Sequence, residues 1–250
     1  MTTLTFPLSR IEGHAQVVVE VRAGEVITAH FQATEIRGFE YLMQGVPAEQ
    51  MPVLVPRICG VCSTAHHVAS VKALEDAFGV TPPPLARRLR ELLMLGQLVQ
   101  NQATSLFLFT MPDRLGLASL FQLAADDVPP ATGEHIARSA LRVRKAGTDL
   151  ISLAGGQFIH PIKAVVGGMS SGLDDVVAGA VLAEIEQILP VACGLVDYYT
   201  EISIAMGERL GTLGDDTPAH YIAAVDASTP NYDSAALRVM DAAGVECDRF

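Results

Sequence analysis

The chain has 250 residues, which suits one large domain or two small ones and is long enough to bury a substantial core. Half of them are hydrophobic and 18% are charged, a balance that excludes disorder over most of the length. Acidic residues outnumber basic ones 28 to 17, the net charge is -11, and no basic block occurs, which argues against direct binding to a nucleic-acid backbone.

Met1 to Phe6 lacks the basic start and long apolar run of a signal peptide, so a cytoplasmic protein is expected. From His14 to Arg22 the chain is rich in β-branched residues. Ala23-Gly24-Glu25 is a turn, and Val26 to Thr34 answers as the second strand of a hairpin. Arg37-Gly38-Phe39-Glu40 leads into a short helix closed by Gly45 and Pro47, and a second short helical segment is expected over 48–55. Val68, Val71, Leu74, Ala77 and Phe78 recur three and four apart, predicting a helix from Ser63 to Phe78 that Gly79 ends. Pro82-Pro83-Pro84 precedes a long helix over about 85–110, stopped by Pro112 and Asp113. A third spans about 133–154 with Ile136, Leu141, Leu150 and Leu153 as its core stripe. A Gly- and Pro-rich loop covers 155–172. Asp174-Asp175 caps a helix to about 210 that is expected to kink at Pro190 and end at Gly211 and Gly214. Strands return at 236–240 and 245–250, after a turn at 241–244. The stretch 92–112 has no charge, yet its amides and hydroxyls, Gln97 to Ser105, mark a buried helix of a soluble bundle rather than a membrane span. The expected fold is mainly α, a helical bundle with small β-hairpins near both ends, in a single domain 1–250. A chain this apolar is also expected to cover part of its surface with a partner.

The chemistry concentrates in Arg57-Ile58-Cys59-Gly60-Val61-Cys62-Ser63-Thr64-Ala65-His66-His67. Two cysteines three apart at a helix start can aim both sulfurs at one point. The free N–H groups and dipole there favour thiolate. His66 stands one turn beyond Cys62, within reach of its sulfur. Three interpretations remain open on spacing alone: a soft-metal site, a redox dithiol, or coincidence. Zinc normally asks for four closing ligands, and Cys193 and Cys247 are isolated; a thioredoxin-like dithiol should follow a strand in a βαβ unit, which the pattern lacks.

Two further segments bear on the choice. Arg10-Ile11-Glu12-Gly13-His14 precedes the hairpin and Arg37-Gly38-Phe39-Glu40 follows it. Together with Arg57-Ile58-Cys59-Gly60-Val61-Cys62 they resemble the large subunit of [NiFe] hydrogenases in order and spacing as well as identity. Glu12 lies 47 residues before Cys59 and Glu40 lies 19 before it. Met111-Pro112-Asp113 and Gly155-Gly156 with His160-Pro161 are fainter echoes. Ala65 to Ser70 looks most like the cytosolic enzymes that pass electrons to soluble carriers.

The resemblance implies a hydrogenase-large-subunit-like fold and a nickel–iron centre whose iron carries carbonyl and cyanide ligands. Cys59 would be a terminal nickel ligand and Cys62 would bridge the two metals. His66 would donate to the bridging sulfur, Glu12 would carry a proton away after H2 is split, and Glu40 would bind magnesium. Soft thiolates suit nickel and low-spin iron, and a carboxylate suits magnesium. The implied partners are a chain supplying the C-terminal half with a second Cys-x-x-Cys and a small subunit with iron–sulfur clusters; H2 would be the substrate. The family's second Cys-x-x-Cys, in its Asp-Pro-Cys-x-x-Cys-x-x-His context, is absent, and Gln157 stands where the family's Arg is expected. The residues 100–105 also lack the histidines usual on that helix.

Plainer roles stand beside these. Glu12 could be a surface carboxylate, Glu40 could cap or pair with Arg37, His67 could be a core histidine and His160 a loop hydrogen-bonder. Cys193 and Cys247 fit small buried residues. The methionines read as packing, and Asp126-Asp127 and Asp215-Asp216 as solvated charges. Three other functions are compatible: a metal-free scaffold relative akin to the quinone-site subunit of respiratory complex I, a shortened piece of a longer large subunit, or a zinc or redox protein.

Overall fold

A computed structural model describes residues 1–123, 135–207, 219–226, 229–230 and 236–249. The chain divides into two compact units, Met1–Gln50 and Met51–Phe250.

The first unit is a three-stranded antiparallel meander followed by short helices. Strand β1 (Thr2–Pro7) pairs with β2 (Ala15–Arg22), which pairs with β3 (Glu25–Ala33). The β2–β3 hairpin falls where β-branched residues predict it. It turns at Ala23 and Gly24, whose φ values of 52° and 87° suit the tight turns that match strand twist. Strand β1 was not anticipated, although Thr3-Leu4-Thr5-Phe6 alternates; its Leu4 and Phe6 lie opposite Val19 and Val17. Helix α1 (Phe39–Leu42) follows, entered through Gly38 at φ 63°, and a single 3-10 turn covers Ala48–Gln50.

The second unit is a helical bundle. Helix α2 (Met51–Leu54) runs into a 3-10 turn over Val55–Ile58, and α3 (Ser63–Phe78) begins directly after Cys62. Gly79 closes α3 in the left-handed conformation, φ 64°, as its position after the apolar stripe predicts. Only part of that stripe is buried: Val68, Val71 and Leu74 are, whereas Phe78 is 52% exposed. Helix α4 (Pro84–Ala103) passes into a π-helical stretch over Thr104–Thr110 and then α5 (Met111–Arg114). Pro112 therefore does not stop the helix at 110. It sits in the first turn of α5, where a missing N–H costs least. Helix α6 (Ile136–Gly155) matches the expected third helix, whose beginning at 133 lies outside the described residues. Its core stripe is Ile136, Ala140, Val143, Ala146 and Ile151; Leu141 faces solvent at 41% exposure.

The 155–172 loop holds a minimal hairpin, β4 (Ala164–Val165) with β5 (Gly168–Met169). Helix α7 (Asp175–Ile204) starts as predicted, with Asp174 accepting from the N–H groups of Val176 and Val177 at 3.0 Å each. Pro190 lies inside α7; Gly211, Gly214, Asp126-Asp127, Asp215-Asp216 and Phe250 fall outside the described residues. A four-stranded antiparallel sheet follows: β6 (Tyr221–Asp226), β7 (Thr229–Pro230), β8 (Leu237–Met240) and β9 (Glu246–Arg249), in the order β7-β6-β8-β9. The sequence pattern predicts β8 and β9 and gives no sign of β6 and β7.

Two buried clusters hold the bundle. One joins Phe107 and Met111 to Ala140 and Val143 of α6 and to Ile188 and Leu195 of α7; the other joins Val68, Leu93, Ile151 and Ala154. Helices α4 and α6 approach through glycine. A Cβ on Gly147 would stand 2.5 Å from the backbone nitrogen of Gln100, and one on Gly96 would stand 2.8 Å from Leu150 Cβ. This contact presses the amide-bearing stretch of α4 into the interior, where Gln97 and Gln100 are both buried. Helix α7, not 92–112, is long and apolar enough to cross a membrane by length and composition. Its inner side packs through Ile188 and Leu195, while Leu182, Leu189 and Val196, seven apart, form an exposed stripe. Cys193 and Cys247 are exposed rather than buried, because each lies on a side of its element that the described fold leaves uncovered.

Candidate metal–thiolate site

The chain arrives at Cys59 extended, with φ -140° and ψ 118°, and Cys62 becomes the N-cap of α3. Gly60 and Val61 make the turn between them. Cα atoms of Cys59 and Cys62 lie 5.4 Å apart and the pair is joined as a disulfide. The Cys62 N–H donates to Cys59 Sγ at 3.2 Å. The Cys62 carbonyl accepts from the N–H groups of Ala65 and His66, locking the first turn and bringing His66 back over the sulfurs. The ligating atoms of Cys59, Cys62 and His66 lie within 4.8 Å of one another, and all three residues are half-buried. Sulfur, sulfur and imidazole converging on one point make a donor set for a soft metal once the pair is reduced, or a redox dithiol.

Several buried side chains hold this turn in place, and the sequence did not reveal them. Gln97 Nε2 donates to the Val61 carbonyl at 2.7 Å and to Gln100 Oε1 at 3.2 Å. Ser63, the first residue of α3, accepts from the His160 N–H at 3.2 Å, tying the Gly155–Pro161 loop to the same helix start. His160 adopts φ 57°, and Gln157 Nε2 donates to its carbonyl at 2.5 Å. Deeper in, Arg90 meets Glu75 through two bonds of 2.8 and 2.6 Å and reaches the carbonyls of Val165 and Gly168 at 2.9 Å each. The only local signal for any of these is the amide density at 97–102. Gln97 and Val61 are 36 residues apart, and Ser63 and His160 are 97 apart.

His67 is a core histidine, as the plain reading had it. Its Nδ1 donates to the Pro52 carbonyl at 2.8 Å, and Nε2 is buried with no hydrogen-bond partner among the described residues. Burial holds its pKa below the usual 6.5; the Pro52 bond opposes this and Arg90 adds to it. Protonation would place a new N–H at Nε2 where no acceptor waits. The unfolded chain therefore binds more protons here than the native one, and stability is lost as pH falls through 6.5 toward the lowered native value. The protein should lose thermal stability between about pH 7.5 and 5.5, and His67→Gln should lose measurably less over the same interval. Identical pH dependence of the two melting curves would remove His67 from the account.

In the first unit, the hairpin brings the Arg10–His14 and Arg37–Glu40 motifs to one end of the sheet. The Thr34 N–H donates to the His14 carbonyl at 2.9 Å, and His14 Nδ1 bonds Glu35 Oε2 at 3.0 Å. Arg10 and Gly13 take positive φ, 59° and 78°. Arg37 stacks on Phe39, 4.8 Å to the ring centre, and its Nε lies 4.0 Å from Glu35 Oε1. Glu12 and Glu40 are both exposed within this unit.

Cys59, Cys62 and His66 have the donors of a metal site or of a dithiol, and the chain resembles known proteins. Residues 37–119 match the family described as nickel-dependent hydrogenase, and residues 5–36 match one described as HoxL-like. The chain is 33% identical over 254 aligned residues to a component of the vhu F420-non-reducing hydrogenase of Methanocaldococcus jannaschii, covering 98% of this chain and 59% of that protein. It is 30% identical to the alpha chain of the coenzyme F420 hydrogenase of the same organism, covering 98% of this chain and 56% of that protein. Among solved structures, an NAD+-reducing [NiFe]-hydrogenase in the H2-reduced state superposes with a TM-score of 0.83 at 30% identity, covering 99% of this chain and 56% of that one. The [NiFeSe]-hydrogenase of Dm. baculatum shares the fold, with a TM-score of 0.70. The chain is a relative of the nickel-dependent hydrogenase large subunits, and it spans less than two thirds of the length of these matched proteins.

Proposed function

We propose that these residues form the N-terminal half of the catalytic subunit of a [NiFe] hydrogenase, which oxidises H2 reversibly to protons and electrons. The observation that carries this is the convergence of Cys59, Cys62 and His66 within 4.8 Å, inside the segment that matches the nickel-dependent family. In this reading Cys59 and Cys62 hold a nickel–iron centre with carbonyl and cyanide on the iron, and the His66 ring donates to the Cys62 sulfur. Glu40 supplies a carboxylate oxygen to magnesium. When bound, the centre supplies Lewis acidity for heterolytic cleavage of H2.

Two more thiolates must come from a second Cys-x-x-Cys outside these 250 residues, on a partner chain or on the remainder of one polypeptide. A small iron–sulfur subunit takes the electrons. The exposed Leu182–Leu189–Val196 stripe of α7 is a surface for such covering protein in a cytoplasmic complex. The test is purification from the native source with partners attached, followed by metal analysis, H2/D+ exchange and mass spectrometry. Nickel and iron in equal amounts beside a second Cys-x-x-Cys are expected, and the intact mass tells a separate chain from a longer one. A complex free of nickel and inert toward H2 would overturn the proposal.

Glu12 is the base that takes the proton, an assignment carried by motif register alone. Glu12→Gln keeps the shape and removes the base. It should retain nickel and lower H2/D+ exchange by about a hundredfold or more; unchanged exchange would exclude the role.

A further inference from the structure

Gln97 and the turn it touches form a short chain of polar groups that ends on a sulfur. Gln97 is buried on α4, and its Nε2 donates to the Val61 carbonyl at 2.7 Å. That carbonyl belongs to the peptide unit whose N–H is the Cys62 N–H, and this N–H donates to Cys59 Sγ at 3.2 Å. The orientation of the amide is settled by its surroundings: both Nε2 hydrogens are used, one on Val61 and the other on Gln100 Oε1 at 3.2 Å, so the nitrogen and not the oxygen must face the turn. The backbone carbonyl of Gln100 accepts from Thr104 Oγ1 at 2.8 Å, and Thr104 Oγ1 accepts from Arg144 Nε at 3.1 Å, which ties the helix backbone at this level to α6. The close approach of α4 and α6 at Gly96 and Gly147 sets the α6 backbone directly against the backbone of Gln100, and both glutamines are buried.

We propose that Gln97 is a positioning residue for Cys59, acting through the Val61–Cys62 peptide to aim and polarise the N–H that the Cys59 sulfur accepts. A donor on the carbonyl side of a peptide draws charge toward its oxygen and strengthens the N–H on the other side. A stronger N–H on a sulfur withdraws electron density from it. On a metal-ligating thiolate that raises the potential of the metal. The proposal rests on the reading of Cys59 as a nickel ligand only for this last consequence; the geometry of the turn stands without it.

The experiment compares the assembled protein with Gln97→Met, which keeps the length and removes the donor, and with Gln97→Leu, which removes both polar atoms. The first readout is hydrogen exchange at the Cys62 amide, resolved by fragmentation mass spectrometry. Exchange should be slow in the native protein and about threefold to tenfold faster in both variants, the size of one ordinary hydrogen bond. The second is the midpoint potential of the bound nickel, followed by electron paramagnetic resonance. It should move down in both variants by about 30–60 mV, the same fold-change at 59 mV per decade for one electron.

Nickel-loaded variants with unmoved potential and unmoved Cys62 exchange would overturn the proposal. If the native complex holds no nickel, the functional reading fails while the exchange arm still decides this one. If neither variant assembles, rapid exchange of the Cys62 amide in the native protein overturns it and slow exchange supports it.

Discussion

Cys62→Ser is expected to leave the assembled protein with less than about a tenth of its nickel while the helix it caps stays folded. Loss of a group that merely orients a ligand lowers metal affinity about 10–100-fold, and loss of the ligand itself should do at least as much. A serine hydroxyl is a hard donor that stays protonated at neutral pH, whereas a reduced cysteine offers a soft thiolate, which the dipole at a helix start favours. Serine is also among the best residues for an N-cap, so α3 should lose nothing by the exchange. The variant thus separates ligation from folding. Cys193→Ser is the control: its thiol is exposed on α7, outside the Cys59–Cys62–His66 group, and nickel content should not change. Full nickel in Cys62→Ser, by metal analysis of the purified complex, would sink the ligand assignment. Equal loss in Cys193→Ser would move the site elsewhere.

The parts of this site that the sequence discloses are those fixed over a few residues. Cys59, Cys62 and His66 are brought together by one turn and the start of one helix, and a four-residue spacing predicts that without any tertiary knowledge. The limits of α3 are equally local, set by Cys62 at one end and left-handed Gly79 at the other. The hairpin β2–β3 is local too, and it delivers the two carboxylate-bearing motifs to one end of the sheet. What escaped depends on distant packing. Gln97 looks like one amide among several until α4 is docked against Val61, 36 residues away. Leu141 matches the apolar period of α6 as well as Ile151 does, and only the neighbouring helices decide which of them is covered. The small size of Cys193 and Cys247 suggested burial, yet their elements turn them outward. Strands β6 and β7 were missed because Tyr221-Ile222-Ala223-Ala224-Val225 carries two alanines and no apolar–polar alternation, and β7 is two residues long.

The second large effect concerns the buried ion pair. Arg90→Met is expected to destabilise the protein by about 3–5 kcal/mol, because it strands the Glu75 carboxylate in the interior without its cation. Both side chains are almost wholly covered, at 4% and 6% exposure, so water cannot step in for the missing partner. For a chain of this size the loss corresponds to a melting-point drop of about 6–20 °C. The pair does more than neutralise itself. Glu75 Oε1 accepts from the Gly167 N–H at 2.8 Å, and Arg90 Nη2 reaches the carbonyls of Val165 and Gly168, so the β4–β5 hairpin is pinned to α3 and α4 by these two residues. Replacing both, as Glu75→Leu with Arg90→Met, removes the stranded charge and should recover part of the loss. It cannot recover all of it, because three backbone groups of the hairpin still lose their partners. The double-mutant cycle should therefore show strong coupling, together with faster amide exchange at Gly167 wherever Glu75 is replaced. A single Arg90→Met that costs less than about 1 kcal/mol would mean that the pair is hydrated in solution, and the pinned hairpin would have to be held by something else.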